Sequence, residues 1–511
     1  MNTAAKSPNL WQSSPAVRTG AAVVGFVLLG WFLCMAFFQL FDRFGIAGTT
    51  ALVVAVPLAI VIGIGSLPDL FSNIRALAKR FGWREWLWTL LFISAMTFEL
   101  GDVRETMNSP LAANKWVALR LGSELIVALI MAWRVVSGRN TLKYLYTGLI
   151  GFMGAYCLIS LVSTTWSIVP IFTFFKSAEY SLDVVAAALI FESTRTPEDF
   201  MKVLNWTYVI YALETGSAWV QSVVSPATAW DEMGRLSGTF PMVGANGIGT
   251  TGAIMALVGI SRLMWLDPKR SGGGRAWYWA VTSFGFASIY VSHTRHAIFG
   301  FLLGLTVILV LTNRKWMIAA LASVAIPLVG LSSLGPAVVT YMRRGQDDAD
   351  MKALTGRTDY WSYAWEQLMH RPITGLGAYA GGRFGVLEKI GRLDTGSLHS
   401  DWVEILVGTS FWGVLALFGA VAGTLWFLLR GRYSPRLTSL ERNLAVECCA
   451  VMSFLTLHSI FNDELAWHPP LMFLALVGYA EFIRRRLKTV EHTSPGRDGT
   501  FFSPRTLQEV S

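Results

Sequence analysis

The chain has 511 residues, of which 53% are hydrophobic and 15% are charged, and its formal net charge is +9. About a quarter of the residues in an ordinary soluble domain are charged, so this composition excludes a soluble enzyme, a fibrous protein and a disordered chain. The apolar runs are continuous rather than alternating, which excludes a β-barrel and predicts an all-α, polytopic transmembrane helix bundle. The basic residues lie between the apolar runs, and this arrangement argues against a nucleic-acid partner.

In chain order, the apolar runs predict about 14 membrane spans, with a range of 12–14. No small-residue cleavage site follows the first run, so we expect that run to be retained as a span rather than removed as a signal peptide. The predicted spans are 21–41, 46–67, 86–100, 117–136, 145–163, 171–192, 203–224, 246–265, 276–293, 296–312, 316–335, 402–429, 443–461 and 467–484.

The spans group into regions of different expected role. The first regions are a cytoplasmic tail (1–20), N-terminal transmembrane helices (21–140) and a transmembrane core (141–335). A long loop (336–401) follows the core. The chain then continues with C-terminal transmembrane helices (402–488) and a disordered cytoplasmic tail (489–511). Lys and Arg concentrate in alternate connections, beginning with the N-terminal tail, which predicts that both termini are cytoplasmic. Each cysteine lies in an apolar run without metal or disulfide spacing, and all are interpreted as small core residues: Cys34, Cys157, Cys448 and Cys449.

The long loop is predicted to be periplasmic and to contain short interfacial helices. Apolar residues recur there at helical spacing and predict a helix near 357–370 that either lies on the membrane surface or packs the loop. Arg357 begins this helix. The residues of the apolar stripe are Trp361, Ala364, Trp365 and Leu368.

A histidine stands just before the span that follows this loop. Asp401 and Glu404 have the spacing of a capping box, which predicts a helix N-terminus next to His399. The positive end of a helix disfavours imidazolium, so His399 is predicted to be neutral and able to accept a proton from a hydroxyl. The same helix end attracts phosphate. A solvated loop histidine is the alternative interpretation.

Three arginines fall at the predicted outer boundary, against the general distribution of positive charge. Arg235, Arg295 and Arg357 come from separate segments, and guanidinium groups bind phosphate through paired hydrogen bonds. Together they suggest a site for a diphosphate, although each alone fits contact with lipid headgroups equally well. Asn246, which opens the span after Arg235, is a further candidate for substrate contact.

Other candidates have strong structural alternatives. Trp166 in an outer loop can stack on a sugar or belong to the interfacial aromatic belt. Lys176 shares a helix face with Glu179, so it can join the anion site or form a structural ion pair. His293 and His296 give only a weak metal pattern. We therefore predict neither a metal site nor a cofactor.

The ordered motifs resemble those of the O-antigen ligase and polysaccharide polymerase superfamily of bacterial inner-membrane proteins. The resemblance covers about residues 145–430. The chain departs from the common pattern at Ser400, where Asn is frequent, and at Ser410, where Gly is usual. The motifs are Trp166-Ser167-x-x-Pro170, Arg235-x-x-Gly238-x-Phe240 with Asn246, Thr294-Arg295, Gly356-Arg357-x-x-x-Trp361 with Arg371-Pro372-Ile373-Thr374-Gly375-Leu376-Gly377, and His399-Ser400 with Gly413.

This resemblance implies a metal-independent transferase of the inner membrane with its active site on the periplasmic face. Its donor is a glycan on undecaprenyl diphosphate, and its acceptor is another lipid-linked glycan or the lipid A core. In the family, a histidine matching His399 deprotonates the acceptor hydroxyl, and arginines matching Arg235 and Arg357 hold the diphosphate. Glu404 favours a polymerase slightly over a ligase. A transporter or flippase of lipid-linked oligosaccharides is the alternative from another class, but no repeated halves are visible in the sequence.

Overall fold

The computed structural model describes residues 82–96, 115–231, 233–239, 241–265, 272–331, 334–343, 356–392, 396–467 and 470–493. The predicted spans 21–41 and 46–67, the N-terminal tail and Cys34 lie outside these residues. The fold is all-α and 80% helical, which confirms the predicted class.

The helices follow the apolar runs of the sequence. They are α1 (Trp83–Ala95), α2 (Lys115–Val136), α3 (Gly148–Val162), α4 (Pro170–Ser193), α5 (Pro197–Val224), α6 (Pro226–Ala229), α7 (Ala245–Trp265), α8 (Gly272–Ser292), α9 (Arg295–Leu311), α10 (Lys315–Leu331), α11 (Leu334–Arg343), α12 (Arg357–His370), α13 (Asp401–Tyr433), α14 (Ser439–His458) and α15 (Leu471–Thr493). Short 3-10 turns occupy Lys143–Tyr146 and Ser163–Trp166, and a π-helix occupies Gly381–Leu387.

Three segments of the described chain are long and apolar enough to cross a membrane. They are Gly148–Trp166, Ala245–Trp265 and Asp401–Tyr433. The total of about 14 spans and the periplasmic position of the long loop remain predictions. Cys157, Cys448 and Cys449 are buried and free, as their apolar surroundings predicted.

The two ends of the bundle can be followed along α15. Its first residue comes soon after residues 464–466, whose backbone N–H groups are bound by Asp401 at the start of α13. Near its other end, Arg485 donates to the Tyr144 hydroxyl (2.6 Å) and to the Phe191 carbonyl (3.4 Å). The start of α13 therefore lies at one end of the bundle, and the end of α4 lies at the other.

A break in α13 allows the segment after α12 to pack against it. Ser410 has φ 57° and ψ −158°, which interrupts the helix, and its hydroxyl donates to the Pro372 carbonyl. Leu376 N–H donates to the Val407 carbonyl at 2.9 Å. Gly375 has φ +66°, and a Cβ there would lie 2.6 Å from the Gly408 carbonyl oxygen, so this close approach requires glycine.

The predicted loop helix is present as α12, with glycine at its N-cap and an end just before Pro372. Its buried face differs from the predicted stripe: Tyr360, Ala364 and Leu368 are buried, whereas Trp365 is 52% exposed. The buried face packs against an apolar cluster contributed by the π-helix, the segment before α13 and α13 itself. Trp361 is half-buried, and its indole N–H donates to the Leu398 carbonyl at 3.0 Å.

A small hairpin lies between α6 and α7. Gly238 pairs with Val243 and Thr239 with Met242 in an antiparallel register. Just before it, the Leu236 N–H donates to the carbonyl of Val291 at 3.1 Å. The turn that carries Arg235 is thereby attached to the last residues of α8, next to the α8–α9 corner.

Candidate functional site

His399 sits in a tight turn immediately before α13. Its backbone is left-handed (φ 53°), and its N–H donates to the Ser397 hydroxyl at 3.3 Å. The Ser397 hydroxyl in turn donates to the carboxylate of Asp463. Burial, together with the positive charge of Arg357, lowers the pKa of His399 to about 4. The imidazole is therefore neutral near pH 7 and has a lone pair for a proton.

The expected capping box at this helix start is wrong in its details. Ser400, not Asp401, is the N-cap, and its hydroxyl accepts from the Val403 N–H at 3.5 Å. Glu404 reaches back further and accepts from the Leu398 N–H at 3.3 Å. The Glu404 side chain therefore supports the backbone of the histidine turn.

Arg357 is bound to the same short stretch, residues 461–463, that contacts the histidine turn. Its Nη1 donates to the Phe461 carbonyl at 2.9 Å. Burial lowers the pKa of Arg357. The charges of Asp463 and Tyr360 act against this shift, whereas the charge of Arg295 adds to it. The guanidinium stays protonated at physiological pH. Arg357 thus influences the pKa of His399, and Arg295 influences that of Arg357, although the three residues come from distant segments.

Arg295 is the first residue of α9 and is half-buried at the α8–α9 corner. Its Nη2 donates to the Arg343 carbonyl at 3.1 Å, which attaches the end of α11 to this corner. The neighbouring Tyr341 stacks on the ring of His293 at 4.6 Å and donates its hydroxyl to the Tyr290 carbonyl at 2.9 Å. Helix α11 therefore helps to fix the position of Arg295.

Arg235 has a partner of its own in the structure. Its Nε donates to the Asp231 carboxylate at 2.7 Å, and its backbone N–H donates to the other oxygen of the same carboxylate at 2.9 Å. No contact among the described residues joins Arg235 to Arg357 or His399. The attachment of this turn to α8 nevertheless brings it to the corner from which Arg295 starts. The guanidinium would have to exchange Asp231 for a phosphate to bind one.

The remaining sequence candidates have structural partners. Trp166 donates its indole N–H to the Thr374 carbonyl at 2.9 Å and so holds the segment after α12. Lys176 pairs with Glu179 at 2.9 Å, and Glu179 also binds Arg120 of α2, so the structural ion pair left open by the sequence is present. Asn246 is half-buried in the first turn of α7; the contact there is to its backbone carbonyl, which accepts from the Thr250 hydroxyl at 2.9 Å, and not to its side chain.

The loop between α14 and α15 is the part of the site that the sequence did not reveal. The buried carboxylate of Asp401 accepts from the backbone N–H groups of Glu464, Leu465 and Ala466 at 2.8, 2.9 and 3.0 Å. This arrangement holds Asp463 under the histidine turn. Burial raises the pKa of Asp463, whereas its hydrogen bond with Ser397 and the charge of Arg357 act in the opposite direction.

A second polar cluster continues from this loop into the bundle. Burial raises the pKa of Glu464 to about 7; its carboxylate accepts from Asn462 at 2.8 Å and lies 3.2 Å from the Thr250 hydroxyl oxygen. The buried His458 lies 3.5 Å from this carboxylate. Its ring centroid is 4.3 Å from that of His296. His293 and His296 thus face different neighbours: Tyr341 in one case, His458 in the other.

Comparisons with known proteins address the family directly. A family model described as O-antigen ligase matches residues 279–419. The matched segment contains Arg295, Arg357 and His399, whereas Arg235 lies outside it. A search of curated proteins found no match. The match supports the resemblance seen in the motifs, and it shows that residues 279–419 of the chain are similar to the O-antigen ligase domain.

Proposed function

We propose that this protein transfers a glycan from undecaprenyl diphosphate to an acceptor hydroxyl on the periplasmic face of the inner membrane. The O-antigen ligase domain supports glycan ligation or polymerisation as the general activity. The observation that carries the specific proposal is the grouping of a neutral His399 with the guanidinium groups of Arg357 and Arg295. A proton acceptor beside a cationic pair suits a reaction in which a hydroxyl attacks and a diphosphate leaves.

In this proposal, each group of the cluster has one task. The His399 imidazole takes the proton of the acceptor hydroxyl while the hydroxyl oxygen forms a bond to the anomeric carbon. The bond between that carbon and the diphosphate oxygen breaks, and its electron pair stays on the diphosphate. Arg357 and Arg295 stabilise the charge of the leaving group, and attack from the opposite side inverts the anomeric centre. No step requires a metal ion.

Binding of the donor diphosphate should change the pKa of the proposed base, His399. Burial and the positive charge of Arg357 lower the pKa of His399. A diphosphate bound to Arg357 would offset this positive charge, and the pKa of His399 would rise towards its ordinary value. The imidazole would therefore become a better base when the donor is in place. Asp463, which binds Ser397 and lies near Arg357, would hold both groups in position.

Loss of the base tests the proposal. His399→Ala should abolish the glycan product in cells while the protein still accumulates in the membrane. His370 is the matched control because it is an exposed histidine at the end of α12 in the same long loop. His370→Ala should leave the product unchanged. A normal glycan profile with His399→Ala would refute the base role.

The acceptor is also open to a direct test. We propose a polymerase rather than a ligase, on the basis of Glu404, and glycan sizing in a strain that lacks the protein separates the two. Single lipid-linked repeats would indicate loss of a polymerase, whereas long chains unattached to lipid A core would indicate loss of a ligase. Full activity of the purified protein in a chelator would support the metal-independent mechanism, and activity restored only by Mg²⁺ would contradict it.

A further inference from the structure

A cleft lined by three arginines lies at the end of the bundle opposite His399. Arg84 comes from the first turn of α1, Arg139 from the turn after α2, and Arg195 from the turn between α4 and α5. The cleft has an empty volume of about 700 Å³, including the open space at its mouth. The glycan transfer proposed above uses none of these residues. The predicted topology places this end in the cytoplasm.

The acidic side chains in the cleft are already engaged. Glu192 accepts from the backbone N–H and the hydroxyl of Thr141 at 2.8 and 2.6 Å, and from Asn140 at 3.2 Å. Asp199 pairs with Arg84 at 3.7 Å and with Lys202 at 3.4 Å. These carboxylates are therefore bound by groups other than Arg139 and Arg195.

Two of the arginines have no such partner. The side chains of Arg139 and Arg195 are exposed, and neither makes an ion pair or hydrogen bond with a described residue. Arg84, by contrast, donates to the Ser193 carbonyl at 2.5 Å. Two guanidinium groups at the mouth of a cleft present several N–H donors to an anion, and phosphate oxygens match their geometry.

An exposed apolar stripe leads along α2 to the cleft. Leu125, Leu129 and Trp133 follow one another at intervals of four residues and are 61%, 61% and 64% exposed. They share one face of the helix, which ends three residues before Arg139. Next to the stripe, Arg134 lies 3.4 Å from the ring centroid of Trp83. Aromatic and arginine side chains at the end of an apolar stripe are typical of a membrane–water interface.

We propose that this cleft binds the headgroup phosphate of an anionic phospholipid, with an acyl chain along the stripe of Leu125, Leu129 and Trp133. Basic pockets between transmembrane helices on the cytoplasmic side are suited to such lipids. Inorganic phosphate offers the same oxygen atoms, but it has no chain to cover the stripe. The combination of apolar stripe and cationic cleft therefore favours a lipid over a free anion.

Native mass spectrometry of the purified full-length protein tests this site. The protein in detergent is titrated with phosphatidylglycerol or with phosphatidylcholine, and the retained lipid is counted. Arg139→Gln and Arg195→Gln remove one charge each without breaking a described contact. Arg436→Gln is the matched control, because Arg436 is an exposed arginine in the α13–α14 turn at the same end of the bundle.

We expect the wild-type protein to retain phosphatidylglycerol in preference to phosphatidylcholine. A single basic residue near an anionic lipid contributes about 1 kcal/mol, so each variant should bind phosphatidylglycerol about fivefold more weakly and the double variant about 25-fold. Arg436→Gln should bind like the wild type. Equal retention of the two lipids, or unchanged binding by the double variant, would overturn the proposal. Displacement of the lipid by an equal concentration of inorganic phosphate would assign the cleft to a free anion instead.

Discussion

The backbone of Ser410 gives the most direct test of the packing beneath the site. A residue with a Cβ at φ 57° and ψ −158° is strained by about 1–3 kcal/mol, whereas glycine adopts this conformation freely. Ser410→Ala keeps the strain and removes the hydrogen bond to the Pro372 carbonyl, which contributes about 0.5–1.5 kcal/mol. Ser410→Gly also loses that bond but releases the strain.

The expected order of stability follows from these magnitudes. In a regular helix interior, glycine is less favourable than alanine by about 1 kcal/mol. At residue 410 the release of strain should exceed this penalty, so Ser410→Gly should be more stable than Ser410→Ala by up to about 2 kcal/mol. Thermal unfolding of the purified variants in detergent, followed by tryptophan fluorescence, measures the order of their midpoints.

Ser453 in α14 supplies the matched control. It is a half-buried helical serine without positive φ, and its hydroxyl donates to the Cys449 carbonyl at 2.8 Å. Ser453→Ala should therefore be more stable than Ser453→Gly, which is the reverse of the order at residue 410. If alanine were the better residue at both positions, the account of strain at the break in α13 would be wrong.

Three further predictions concern the site and the topology. Because the charge of Arg357 helps to lower the pKa of His399, Arg357→Gln should raise that pKa. The acidic limb of the kcat/KM profile should then move to higher pH from its wild-type position near pH 4. An unmoved limb would show that the two groups do not interact. Asp463→Asn should reduce turnover by about 10- to 100-fold, because it weakens a charge-assisted hydrogen bond to Ser397. The protein level should change little. Turnover equal to that of the wild type would exclude a positioning role for Asp463. In a cysteine-free background, Lys389→Cys should react with an impermeant thiol reagent added outside and Arg436→Cys should not; the opposite labelling would invert the proposed orientation.

Local sequence patterns predicted the elements whose signals are contained within one segment. The break between α8 and α9 falls at His293 and Thr294, where two predicted spans meet, and α12 occupies 357–370 as its spacing indicated. The start of α13 was placed within one residue of its position. In each case a glycine, a proline or a change of polarity marks the helix end along the chain itself.

The ion-pair partners of individual charged side chains could not be predicted from these local patterns. The ion pair of Lys176 with Glu179 was one of two open interpretations, because both residues lie on one helix face, but the involvement of Arg120 depends on how α2 packs against α4. The pairing of Arg235 with Asp231 is local, four residues apart, but it depends on a turn whose geometry no helical or strand period describes. Sequence spacing therefore identified charged candidates, but it could not assign their partners.

The contacts of the loop between α14 and α15 with the histidine turn could not be predicted from the sequence alone. Asp401 looks like a helix cap in the sequence, yet its carboxylate is satisfied by three N–H groups more than 60 residues later. Because that carboxylate is buried, releasing the loop would leave a charge and three donors without partners, which is strongly unfavourable. The loop is consequently fixed to the same turn that holds His399. Phe461 then accepts from Arg357 and Asp463 binds Ser397, so one buried aspartate sets the positions of both the proposed base and the proposed phosphate ligand.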